Sequence, residues 1–160
     1  MKSTDFGAVY ERYADDVLRF ALYLTGDRAE AEEIAGETFV RAWLASGDIR
    51  VETVKAYLLS IARNLRIERY RQGARRAELP ADLRDPSAGP EQAAQGRDAL
   101  QAVMRALQEM PEVDRAAVLM RANGVPYEDV ARALSISTAA ARVKVHRARM
   151  KLTGLGLGGS

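Results

Sequence analysis

Apolar residues in this chain recur at every third and fourth position along almost its whole length, and strand-like alternation never lasts beyond a few residues. That period places side chains on one face of an α-helix, so the chain has to bury a series of amphipathic helices against one another. Phe6, Val9, Tyr10, Tyr13, Val17, Phe20, Ala21 and Leu24 form the first stripe. Thr25-Gly26-Asp27 ends it, with Gly26 suited to a left-handed C-terminal position. Asp27 opens a second helix with Glu30 three residues on, a capping-box-like pair. Ala31, Ile34, Ala35, Thr38, Phe39, Ala42 and Trp43 are its expected apolar side, up to a break at Ser46-Gly47-Asp48. The spacing predicts a third helix from about Thr53 to Arg76, buried along Val54, Tyr57, Leu58, Ile61 and Leu65.

The helical period then stops. Leu79 to Gly96 holds Pro80, Pro86, Pro90, Gly89 and Gly96 without apolar periodicity, and prolines at that density interrupt helices. The expectation is an all-α chain of two small helical domains joined by a Pro/Gly-rich linker: 1–78, a linker over 79–97, and 98–153, with 154–160 as a disordered Gly-rich tail. In the second half Leu100, Val103, Met104 and Leu107 share one face. Pro111 suits the first position of the next helix, which stops at Asn123-Gly124. Pro126 starts a short helix with Glu128 and Asp129 in its first turn, and Ser137 can cap a last helix to about Leu152.

The 160 residues include no cysteine and one histidine, which removes disulfides, thiolate nucleophiles, cysteine-ligated zinc and multi-histidine metal centres. A Ser-His-Asp arrangement would have to use His146, which sits among Arg142, Lys144, Arg147 and Arg149, a field that disfavours the imidazolium it needs. No stretch approaches the roughly 20 apolar residues of a membrane span. Met1 to Asp5 has no apolar run behind a basic start, so a signal peptide is not expected. A soluble, cytoplasmic chain without membrane insertion is the expectation.

The formal net charge of +2 conceals a strong segregation. Residues 1–60 hold seven basic against eleven acidic side chains, and residues 61–84 hold seven arginines against three acids. Residues 136–160 hold five basic residues and no acid. Two basic segments, one at the end of each helical half, point to a polyanion that touches both, with DNA the first candidate.

The sharpest local pattern spans Pro126 to Leu152, where a short helix, a tight turn and a basic helix make a helix-turn-helix plan. Val130 and Ala131 are expected to pack on Ala141 and Val145, with Ile136 filling the turn. Arg142, Val143, His146 and Arg147 then share the outward face. Arginine there can read guanine bidentately, and the other basic side chains can hold phosphates.

These residues carry a resemblance. Tyr127-Glu128-Asp129-Val130-Ala131, Ile136-Ser137 and Val145-His146-Arg147-Ala148-Arg149-Met150-Lys151-Leu152 resemble the C-terminal domain of extracytoplasmic-function sigma factors of bacterial RNA polymerase. The stretch from Asp27-Arg28-Ala29-Glu30 to Arg41-Ala42-Trp43 resembles that family's polymerase-binding helix. Tyr57-Leu58-Leu59-Ser60-Ile61-Ala62-Arg63-Asn64-Leu65, followed by Arg66, Arg69 and Arg71, resembles its minus-ten-element helix.

The resemblance implies a non-enzymatic sigma subunit without cofactor or metal, whose partners are core polymerase, promoter DNA and an anti-sigma factor. It implies that Glu30, Glu33 and Glu37 face polymerase, whereas Phe39 and Trp43 suit the core better than a partner contact. It implies that Arg63, Asn64, Arg66 and Arg69 meet the minus-ten element, and Arg142, Val143, His146 and Arg147 the minus-thirty-five element. The loop from Ala45 to Glu52 would take a flipped base, which must repay a few kcal/mol of unstacking. Tyr57 and Tyr70 are available to stack on others, although Tyr57 suits the core better. Three departures stand out: Glu68 where the family commonly has Asp, Ser135 in place of the usual turn Gly, and Thr138-Ala139-Ala140-Ala141 opening the last helix. The extra alanine leaves fewer base-reading groups and predicts a minus-thirty-five preference unlike the family's commonest one.

Two other classes fit less well. A stand-alone helix-turn-helix regulator would use the N-terminal half as a sensor or dimerisation domain. A helical metallohydrolase would need Glu30, Glu33 and Glu37 to converge with a second acidic motif, and the sequence has none.

Overall fold

The computed structural model describes residues 3–45, 54–73 and 90–155, and every regular element among them is helical. In chain order these are α1 (Ser3–Thr25), α2 (Arg28–Leu44), α3 (Val54–Gly73), α4 (Pro90–Glu109), α5 (Glu112–Ala122), α6 (Tyr127–Leu134) and α7 (Thr138–Thr153). The loop expected to capture a base lies outside the described residues apart from Ala45, as do 74–78 at the end of the expected first domain, 79–89 of the expected linker and 156–160 of the tail.

The helix ends follow local chemistry. Gly26 has φ +73, and the Asp27 side chain accepts the Glu30 N–H at 3.1 Å, so α1 stops and α2 starts as the sequence predicts. Ser137 Oγ accepts the Ala140 N–H at 3.0 Å and starts α7. Pro111 and Pro126 stand one residue earlier than expected, as N-caps with extended ψ of 145° and 150°.

One boundary differs from expectation. The chain is helical from Pro90, inside the stretch expected as linker. Proline in a first turn gives up an N–H that no carbonyl would have accepted, and Gln92, Ala93 and Ala94 favour helix strongly enough to absorb the roughly 1 kcal/mol that Gly96 costs.

Core formation follows the stripes. Val17, Phe20 and Leu24 of α1 pack with Ile34 and Phe39 of α2 and with Leu58, Leu59 and Leu65 of α3. The same buried cluster continues through Met104 and Leu107 of α4, Ala117 and Met120 of α5, Val130 of α6 and Val145 of α7. Two expected core aromatics sit at its margin. Tyr57 is half-buried, and Trp43 remains 41% exposed while its ring meets Phe6 edge-on at 4.9 Å.

Polar contacts join the two helical groups. Gln108 Nε2 donates to the Tyr23 carbonyl at 3.1 Å, Lys55 donates to the Asn123 carbonyl at 3.0 Å, and Arg115 Nη1 donates to the Leu24 carbonyl at 3.0 Å.

The turn between α6 and α7 has φ +57 and ψ +45 at Ser135, the one described non-glycine residue in the left-handed region. Its amide reaches the Arg132 carbonyl at 3.3 Å, and Ile136 N–H reaches Ala131 at 3.0 Å, which closes α6. An L side chain meets the carbonyl there. Ser135→Gly is expected to stabilise the chain by about 0.5–1 kcal/mol, read as a higher urea midpoint. A lower midpoint would show that the turn gains more from the serine than it loses to strain.

Candidate functional site

The helix-turn-helix expected over Pro126–Leu152 forms as α6, turn and α7. Ala141, Val145 and Ala148 are buried on its inner side against Val130 and Ala131, and Ile136 is half-buried in the turn. Arg142, Val143, His146 and Arg147 all face outward and exposed. Two of α7's basic side chains also lean back. Asp114 of α5, 4% exposed, lies 3.3 Å from Arg147 Nη2 and 3.5 Å from Lys144 Nζ. Arg147 keeps 55% of its side chain in solvent, so its donors divide between Asp114 and whatever α7 meets.

Sequence reading missed Asp114 and Arg115, two adjacent buried charges in the first turn of α5. Arg115 is 7% exposed and donates to the carbonyls of Leu107, Gln108 and Met110 at 2.7, 3.3 and 3.2 Å, besides Leu24. It therefore caps the C-terminal ends of both α1 and α4 with one guanidinium. Burial lowers its pKa from the ordinary arginine range, with Glu112 opposing. Nothing in the sequence separates this arginine from a solvated one, because its acceptors are backbone atoms brought in by tertiary packing.

The two charged surfaces expected in the N-terminal half meet each other. Arg69 Nη1 lies 2.6 Å from Glu33 and its Nη2 3.7 Å from Glu37, while Arg66 Nε is 3.9 Å from Glu30. Arg41 of α2 holds Glu68 of α3 bidentately at 3.0 and 3.1 Å and also reaches Glu37 at 3.1 Å. The longer reach of glutamate at 68 thus joins the two helices, and Arg41 holds the Glu68 carboxyl below the usual carboxylate range. Burial pushes Glu30 above that range, with the Arg66 guanidinium opposing. The acidic stripe on α2 and the arginines of α3 form one alternating lattice, with Arg66 also standing 5.3 Å over the exposed Tyr70 ring.

Arg63 points elsewhere. Only 13% of its side chain is exposed, and Glu112 of α5 grips it from Nε at 2.9 Å and Nη2 at 2.6 Å. Of the four residues expected at the minus-ten element, Asn64 alone is exposed, and the three arginines each lie against a carboxylate.

Among the described residues, no helix is long and apolar enough to cross a membrane.

Comparison with known proteins places these features in a family. Residues 9–76 match Sigma-70 region 2, and residues 100–152 match Sigma-70, region 4. The ECF RNA polymerase sigma factor SigE of Mycolicibacterium smegmatis is 33% identical over 152 residues, 88% of this chain and 57% of the relative. The ECF RNA polymerase sigma factor SigM of Bacillus subtilis is 28% identical over 153 residues, 92% of each. This chain therefore spans little more than half of one curated relative and nearly all of another. The fold is that of the sigma factor RpoE from Bartonella quintana, solved with the anti-sigma factor NepR: TM-score 0.75, 23% identity, 94% of this chain and 96% of that one. CnrH, solved with the cytosolic domain of CnrY, aligns at TM-score 0.68 and 21% identity over 96% of this chain and 88% of its own. With both regions matched in one chain and in that order, the chain belongs to the sigma-70 family, in its extracytoplasmic-function group of RNA polymerase sigma factors.

Proposed function

We propose that the chain binds bacterial RNA polymerase core, recognises promoter minus-ten and minus-thirty-five elements and promotes transcription initiation in the cytoplasm, without catalysing a reaction itself. The match to region 2 and region 4 within one chain carries this reading. A stand-alone helix-turn-helix regulator would leave the region 2 match over residues 9–76 without a role. In functional terms residues 1–78 serve polymerase and the minus-ten element, 79–97 link, 98–153 serve the minus-thirty-five element, and 154–160 form a tail. An anti-sigma factor is the third partner, as for the structural neighbour RpoE, solved with the anti-sigma factor NepR.

Glu30, Glu33 and Glu37 are the polymerase contacts in this reading, and Arg63, Asn64, Arg66 and Arg69 the minus-ten contacts. The ion pairs give them a common energetic condition. Partners must replace carboxylate–guanidinium pairs rather than meet bare charges. For exposed pairs worth about 0–1 kcal/mol each that exchange is easy. The bidentate, largely buried Arg63–Glu112 pair exchanges less readily, so this arginine engages DNA only when α3 and α5 separate.

Run-off transcription with core polymerase on a genomic promoter library tests the whole reading. Promoter-dependent transcripts are expected, and absence of both a complex with core and any such transcript would overturn it. On α7, Lys151→Ala is expected to weaken duplex binding evenly across sequences and to reduce the salt slope by about one. Arg147→Ala is expected to relax sequence preference as well, with Lys144 left to hold Asp114. Unchanged selectivity across the library would remove Arg147 from base readout.

A further inference from the structure

The ring of Tyr127 carries two guanidinium groups from two other helices. Arg121, in the last turn of α5, has Cζ 4.6 Å from the ring centroid, and Arg142, near the start of α7, has Cζ 4.5 Å from the same point. Backbone turns bring the three together. Gly124 takes φ +85 after α5, and Pro126 caps α6 so that Tyr127 is its first residue. Arg121 Nη1 donates to the Val125 carbonyl at 3.2 Å, while its Nε is buried without a partner.

Two cations on one ring repel each other, and nearby acids usually relieve such a pair. Here the described ion pairs of α5, α6 and α7 are Glu112–Arg63, Asp114–Lys144, Asp114–Arg147 and Asp129–Arg132, and none includes Arg121 or Arg142. Among the described residues the cluster is therefore a positive site without an ion-paired acid, held by an aromatic face. Stacking occupies the flat face of a guanidinium and leaves the N–H donors at its edge available, the edge that matches phosphate oxygens. Arg142 is exposed and makes none of the described hydrogen bonds with those donors, so they are open to a ligand.

We propose that Tyr127 is a positioning residue for promoter binding: its ring holds Arg142 as a clamp for one phosphodiester of the duplex. The clamp rests on the reading of α6–α7 as a DNA-binding unit and adds to it a residue that makes no DNA contact itself. Its physical effect is preorganisation. An arginine on a solvated helix loses rotamer freedom when it binds, whereas one already stacked loses less. A phosphate contact is independent of sequence, so any duplex reports it.

The test uses the full chain and a 30-base-pair duplex of random sequence, with fluorescence anisotropy at several salt concentrations. Arg142→Ala is expected to lower affinity and reduce the salt slope by about one. Tyr127→Leu is expected to lower affinity about fivefold, and Tyr127→Phe to restore most of that loss because the ring alone carries the stacking. The Tyr127→Leu, Arg142→Ala double variant should bind no more weakly than Arg142→Ala, since the ring acts through the arginine. A general structural role would give additive losses and no rescue by Phe, and either result overturns the clamp. Should Tyr127→Leu prove unstable on melting, Arg142→Ala with an unchanged salt slope overturns it independently. A chain that directs transcription with core polymerase yet shows no duplex binding overturns the clamp and leaves the sigma reading standing. A chain that does neither overturns the sigma reading first.

Discussion

Replacing Arg115 with leucine is expected to destabilise the folded chain by about 3 kcal/mol, measured by urea unfolding. The guanidinium donates to four carbonyls, Leu24 at the end of α1 and Leu107, Gln108 and Met110 at and beyond the end of α4. Leucine fills similar volume but supplies no donor. The Leu107 carbonyl keeps the Met110 N–H at 3.3 Å and the Leu24 carbonyl keeps Gln108 Nε2 at 3.4 Å, while the Gln108 and Met110 oxygens lose Arg115. Each unsatisfied acceptor costs about 1–3 kcal/mol before relaxation or water entry reduces it. Arg115→Lys should recover only part of the loss, because one ammonium cannot span acceptors on two helix ends. The same change should loosen the contact between the N-terminal and C-terminal helices, since the Leu24 bond crosses between them. A loss below about 1 kcal/mol would show that water replaces the guanidinium with little penalty.

The second large effect is expected at polymerase. Glu33→Gln combined with Glu37→Gln should weaken binding to core polymerase about tenfold or more, while circular dichroism shows unchanged helicity. The structure dictates the choice of glutamine. Reversing either charge would set a lysine against Arg69 or Arg41 and mix lost recognition with repulsion inside the protein. Glutamine removes the charge, keeps the length and can still accept from Arg69. Unaltered affinity would make the two glutamates ordinary surface whose only work is to neutralise α3. Enhanced DNA binding without a polymerase defect would carry the same conclusion, with the liberated Arg69 as its cause.

Legibility in the sequence followed the range of the interactions concerned. The Asp27 and Ser137 caps, the left-handed Gly26 and the buried faces of α6 and α7 all depend on residues within about four positions of each other. They were readable from spacing. Pro90 misled for an equally local reason: proline density marks where helices cannot continue, yet a proline also begins one without penalty. Trp43 sits on the apolar stripe of α2 but at the helix end, where the α1 packing runs out, so periodicity overstated its burial.

For the candidate sites, residue type and face were legible and partner identity was not. Arg142, Val143, His146 and Arg147 share the outward face that their spacing predicts. That Arg142 rests on Tyr127 while Arg147 leans on Asp114 depends on how α5, α6 and α7 pack.

By itself the sequence determined that the chain is helical, where most helices begin and end, that one helix pair makes a helix-turn-helix, and how charge alternates along its length. Hydrophobic period, capping side chains and turn residues act over one or two helical turns, so they can be read in order. Only the tertiary structure decided which charges neutralise which. Arg63 found Glu112 across 49 positions, Arg69 found Glu33 across 36, and Asp114 took Lys144 and Arg147 from 30 and 33 positions away. A side-chain charge has no preferred partner until the apolar faces have packed, and burial then sets both the distance and the strength of each pair.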